Sequence, residues 1–158
     1  MQPAKRSLIL CADDFALDEA VSEGILRLVE ARRVSAVSCF ADAPSWPEAG
    51  ARLRDLSGRE IALGLHFNLT ERFGFGERPL GYWIAAGVLR AVNARAIGRH
   101  LQRQIERFRE IAGRLPAFID GHQHVHAFPV VRDAVAAAAA EAAPRPIPLR
   151  DVRRFFGP

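Results

Sequence analysis

The chain has 158 residues, of which 49% are hydrophobic and 25% charged, with a formal net charge of +4. That is the ordinary composition of a soluble globular protein, with enough length for one domain and its core. It holds two cysteines, Cys11 and Cys39, each inside an apolar run. They read as buried free thiols in a reduced, cytoplasmic setting, not as a disulfide framework.

Ser7–Ala12 is a short continuous apolar run that reads as a buried parallel strand, stopped at Asp13-Asp14-Phe15. Two aspartates cut this run too early for a signal peptide or a membrane span. From Asp18, a plausible N-cap, the residues Val21, Ile25, Leu28 and Val29 keep helical spacing. A second strand is read over residues 35–40. Ala43-Pro44-Ser45-Trp46-Pro47 turns into a short helix ending near Leu56, with Ser57-Gly58 as its stop. A third strand covers residues 61–69 and ends in the polar His66, Asn68 and Thr70.

Residues 71–87 carry Gly74, Gly76 and Gly81 among Phe73, Phe75, Tyr82 and Trp83. They read as a long aromatic-bearing loop, either a binding loop or a hydrophobic hairpin. A long helix follows over about Ala94–Ala112, with Ile97, Leu101, Ile105, Phe108 and Ile111 on one face and Gly113 and Pro116 ending it. Arg95, Arg99, Arg103, Arg107 and Arg109 with Glu106 and Glu110 form its solvated face. Without aromatic interleaving or a binding motif they do not predict a nucleic-acid surface. The fourth strand, Ala117–Asp120, leads to His122, His124 and His126. Pro129 opens a last helix through the alanine run to Ala143, and Pro148-Leu149-Arg150 starts a fifth strand.

Strands and helices therefore alternate, which predicts an α/β fold with parallel strands and right-handed crossovers, as an open doubly wound sheet or a barrel. In such folds functional groups gather at the carboxyl ends of the strands. Strand one ends in Asp13-Asp14, strand three in His66, and strand four in Asp120 and the alternating histidines. In an extended chain His122, His124 and His126 point to one face. A carboxylate and two imidazoles from separate strands make a metal site with open positions. A divalent metal there lowers the pKa of water toward about 7 and polarises a carbonyl. Asp13 and Asp14 cannot both aim at the metal from a regular strand, so one is expected to bind it and the other to act as base. Spacing does not say which histidine binds.

Ala12-Asp13-Asp14-Phe15, Gly64-Leu65-His66-Phe67-Asn68-Leu69-Thr70 and Asp120-Gly121-His122-Gln123-His124-Val125-His126-Ala127-Phe128-Pro129 resemble, in order, three motifs of the YdjC/ChbG-like carbohydrate deacetylases. The resemblance implies a distorted (β/α) barrel of roughly seven strands, and a metal-dependent hydrolase that removes acetyl groups from N-acetylated sugars. It implies magnesium, with zinc as the alternative. Residue by residue, it makes Asp14, His66 and His122 the metal ligands and Asp13 the catalytic base. His124, His126, Asn68 and Thr70 become substrate or supporting contacts.

Two departures stand out. Ala16 occupies a glycine position of the family motif, which costs little if φ there is negative. Family members run to about 250 residues, as barrels of this kind do, and carry a later His-Pro-Gly motif. Residues 1–158 therefore read as a single, partial barrel domain, truncated after about five strands. Its open edges favour a homodimer, because unpaired strands recruit a second chain. Its inner face is expected to include Leu8, Leu10, Val37 and Leu63. The alternative reading is an impaired homologue that binds metal and saccharide without turnover. A non-haem iron oxygenase also uses two histidines and a carboxylate, but in an H-x-D order and an all-β setting that are missing here.

Overall fold

The computed structural model describes residues 8–57, 60–73 and 78–152. Gly58, Gly74, Phe75, Gly76 and the terminal Phe156-Gly157-Pro158, used in the sequence reading, lie outside the described residues. Strands β1 (Cys11–Phe15), β2 (Ala36–Cys39), β3 (Ala62–Phe67) and β4 (Ile119–Gly121) form one parallel sheet in the order β1-β2-β3-β4. The order never reverses, so these strands lack the switch point of a doubly wound sheet. Nor do the described strands close into a barrel. The expected fifth strand is reduced to a single parallel bridge between Leu149 and Ile119.

Helices α1 (Glu19–Glu30), α2 (Trp46–Ser57), α4 (Ala94–Ala112) and α5 (Val131–Glu141) pack in sequence against one another. Local chemistry sets their ends. Asp18 caps α1 by accepting from the Val21 amide at 2.8 Å, and Asn93 caps α4 through the Ala96 amide at 3.0 Å. Gly113 closes α4 at φ 68, a left-handed position where glycine carries no side-chain penalty. Helix α4 buries Ile97, Leu101, Ile105 and Phe108, three or four residues apart, and its arginines face solvent as expected. Trp46 stacks on Phe108 at 5.4 Å and donates from Nε1 to the Arg107 carbonyl, which ties α2 to α4. Each such buried aromatic contributes about 1.5–3 kcal/mol relative to exposure.

Three expectations need correction. The first strand begins at Cys11, and Leu8 and Leu10 are 86% and 53% exposed at the outer edge of the sheet, not on a buried inner face. Val37 and Leu63 are buried, but alternation along the parallel register puts them opposite His66, on the face that meets the helices. The segment read as a loop contains helix α3 (Leu80–Val88), missed because glycines and aromatics mask a short helical period. Its Trp83 is buried and donates to the Leu69 carbonyl at 3.1 Å, so this aromatic supports the fold.

Candidate metal centre

The site lies at the carboxyl ends of the four strands. Pairing runs from Ala12↔Val37 to Phe15↔Cys39, three steps along β1 against two along β2. The extra residue is a β-bulge. It falls on Asp13-Asp14, and Asp14 takes φ 67. A regular strand would send these carboxylates to opposite faces. The bulge lets both line one cleft of about 180 Å³, together with His66, Asp120, His122 and Arg150. A non-glycine residue at positive φ is strained by about 1–2 kcal/mol. Ala16 follows at φ 71, so the condition for a cheap loss of glycine is not met here. The Ala16 amide is held by Ser22 Oγ at 3.1 Å.

Asp14 Oδ1 sits 3.1 Å from His66 Nε2 and 2.9 Å from His122 Nδ1. These hydrogen bonds hold the Asp14 carboxyl well below the usual carboxylate range, against the opposing effect of burial. The three side chains offer ligand atoms within 4.8 Å of one another. One carboxylate and two imidazoles at this spacing fit a divalent cation. Burial disfavours charge on His66, yet Asp120 and Asp14 outweigh it and raise its pKa to about 9. Phe40, fully buried, packs against both imidazoles with ring centres 5.0 Å away. It limits how either ring can turn.

Asp120, 2% exposed, accepts from His66 Nδ1 at 2.7 Å and from the Ser38 hydroxyl at 2.5 Å. Burial alone would raise its pKa, but His66, Ser38 and Arg150 pull it below the ordinary value. The Arg150 guanidinium Nη1 lies 2.9 Å from both oxygens of Asp13 and 3.0 Å from Asp120 Oδ2. Asp13 is thus oriented by a cation, while Asp14 faces the imidazoles.

The family model of YdjC-like proteins matches residues 7–156, nearly the whole chain. The chain belongs to the YdjC-like family. This YdjC-like chain is 34% identical over 145 residues to a chitooligosaccharide deacetylase of Escherichia fergusonii, a match covering 87% of this chain and 57% of that protein. It is 32% identical over 154 residues to a carbohydrate deacetylase of Danio rerio, covering 86% and 47%. It therefore spans about half the length of the curated relatives it matches. The crystal structure of an Enterococcus faecalis protein named for cellobiose-phosphate cleavage aligns with a TM-score of 0.70 at 25% identity, covering 92% of this chain and 59% of that one.

In this YdjC-like chain the three histidines of the last motif do not share a face. After β4 the backbone turns into a short 3₁₀ segment, His122–Ala127, with Gln123 at φ 51 and His124 at φ 59. His122 enters the cleft, and the exposed His124 lines its mouth. His126 is buried, with its Nε2 3.0 Å from the Arg150 carbonyl. His126 therefore anchors the Arg150 backbone, the supporting one of the two roles expected for it. Asn68 is fully buried as well and cannot contact a saccharide directly. Its Oδ1 accepts from the amides of Thr70 and Glu71 at 3.0 and 2.9 Å. Thr70 Oγ1 is buried without a hydrogen-bond partner among the described residues.

Sequence reasoning missed Ser38, Phe40, Glu71 and Arg150, and left Asp120 without a role. Asp120 was within reach as the acid that ends the apolar run of the fourth strand, though its pairing with His66 is a matter of register. Arg150 carried no local signal, because its carboxylate partners are 30 and 137 residues away.

Proposed function

We propose that this chain supplies the metal-binding and base-bearing part of a hydrolase that removes acetyl groups from N-acetylated sugars. The observation that carries this reading is the division of the two adjacent aspartates. Asp14 meets both imidazoles, whereas Asp13 pairs with Arg150 and lies within 4.8 Å of His66 alone of the two. Asp14, His66 and His122 are the proposed ligands. A divalent ion held there supplies Lewis acidity toward an amide carbonyl oxygen and lowers the pKa of water. Two imidazoles suit zinc better than magnesium, which prefers oxygen donors, so the donor set favours the alternative metal.

Asp13 then receives the proton of the attacking water. Arg150 keeps its carboxylate aimed into the cleft, and Asp120 keeps the His66 proton on Nδ1. The cleft of about 180 Å³ is smaller than the roughly 300–1,000 Å³ of whole-ligand sites. It fits the reacting acetyl group, with the sugar lying outside it. The unreversed order β1-β2-β3-β4 supports reading these strands as an arc of a (β/α) barrel, and β1 has one sheet neighbour among the described strands. Association with a second copy through this edge is part of the proposal and is read by sedimentation.

The test is acetate release from N-acetylated chitooligosaccharides by the zinc-loaded chain. Release that disappears with a chelator and returns with metal supports hydrolysis. Saccharide binding without acetate release would favour the non-catalytic reading.

A further inference from the structure

Each candidate ligand imidazole touches two carboxylates, one through each ring nitrogen. His66 meets Asp14 through Nε2 at 3.1 Å and Asp120 through Nδ1 at 2.7 Å. His122 has the opposite arrangement, with Asp14 on Nδ1 at 2.9 Å and Glu71 on Nε2 at 3.3 Å. An ionised carboxylate only accepts hydrogen bonds, and a coordinating nitrogen carries no proton. Asp120 thus leaves Nε2 of His66 for a metal. We propose that Glu71 is a positioning residue that keeps the His122 proton on Nε2, so that His122 coordinates through Nδ1 while His66 coordinates through Nε2. This inference rests on the metal reading proposed above.

The ring orientation of His122 is determined by its surroundings. Turning the ring over would put carbon atoms against both Asp14 and Glu71 and lose both polar contacts. Glu71 is also placed before it acts. Asn68 Oδ1 accepts from the Glu71 amide, and Gln104 of α4 holds the Asn68 backbone through both its amide, at 3.1 Å, and its carbonyl, at 2.9 Å. A glutamate on an unpinned loop would pay more entropy to hold one ring geometry. The Glu71 side chain is 34% exposed, which weakens its hold through solvent screening. Its loss therefore falls at the low end of the 10–100-fold affinity range for partners of metal-bound histidines, at about tenfold.

The experiment uses the ¹⁵N-labelled 158-residue chain loaded with zinc. Long-range ¹H–¹⁵N spectra identify the protonated nitrogen of each histidine, and competition with a chromophoric chelator gives zinc affinity. The expected result is Nε2–H on His122 and Nδ1–H on His66. Glu71→Ala weakens zinc about tenfold, and Glu71→Gln, whose Oε1 still accepts from Nε2–H, recovers most of the loss. Coordination of His122 through Nε2, or unchanged zinc affinity in Glu71→Ala, overturns the role of Glu71 and leaves the metal reading standing. A wild-type chain that takes up no zinc at His66 and His122 removes the metal reading, and this inference with it.

Discussion

Arg150 and Asp13 are 137 residues apart in the chain, and one guanidinium nitrogen lies 2.9 Å from both carboxylate oxygens. The same nitrogen reaches Asp120 Oδ2, so one cation orients the proposed base and helps neutralise the buried acid behind His66. Arg150→Met removes both contacts without changing the metal donors. The expected outcome is a loss of deacetylation of about 10²-fold through misplacement of Asp13, with zinc content retained. Activity assays alongside metal analysis check this. Loss of the metal would show that Arg150 supports the ligand set itself.

The paired aspartates should separate by phenotype. Asp13→Asn is expected to keep metal and lose about 10²–10⁴-fold in turnover, the usual cost of a missing general base. Asp14→Asn is expected to lose metal, because its carboxylate meets both imidazoles. Exchange of the two phenotypes would reverse the roles proposed here.

The pH dependence follows from His66, whose pKa in the metal-free fold is raised to about 9 from an ordinary 6.5. A raised folded value means that protonated His66 stabilises the metal-free fold fully below pH 6.5. That stabilisation is lost as pH rises through about 9. Coordination through Nε2 requires that proton to leave, so metal affinity rises across the same window, approaching tenfold per pH unit. Thermal melts of the metal-free chain and chelator competition at about pH 6.5 and 8.5 test both signs. Flat affinity would exclude Nε2 of His66 as a ligand.

Gly64 provides a test of the sheet beneath the site. A Cβ there would meet the Phe118 ring at 2.3–2.6 Å. The ring covers the strand two residues before His66. Gly64→Ala is expected to cost about 1–3 kcal/mol through overpacking. For a domain of this size that lowers Tm by roughly 2–4 °C per kcal/mol. A calorimetric melt equal to wild type would mean that Phe118 moves aside freely.

Regular segments were legible in the sequence for local reasons. Helix α4 runs over Ala94–Ala112 as its apolar spacing and Gly113 indicate, and Asp18 caps α1 as expected. Irregular backbone was not legible. The bulge at Asp13-Asp14, the positive φ of Ala16 and the left-handed turn at Gln123-His124 occur at residues with side chains, where no glycine marks the conformation. The alternation argument for three histidines on one face failed at that turn.

By itself the sequence determined the alternation of the four strands with α1, α2, α4 and α5, and the placement of Asp13, Asp14, His66, Asp120 and His122 near strand ends. Apolar periodicity and polar run-ends are local properties, readable within a few residues. Only the tertiary structure decided which of these groups meet, which nitrogen of each imidazole faces Asp14, and that Arg150 and Glu71 join them. Those outcomes depend on the register between strands and on the bulge that turns two neighbouring carboxylates into one cleft. Register is set by packing across the whole sheet, and no short stretch of chain encodes it.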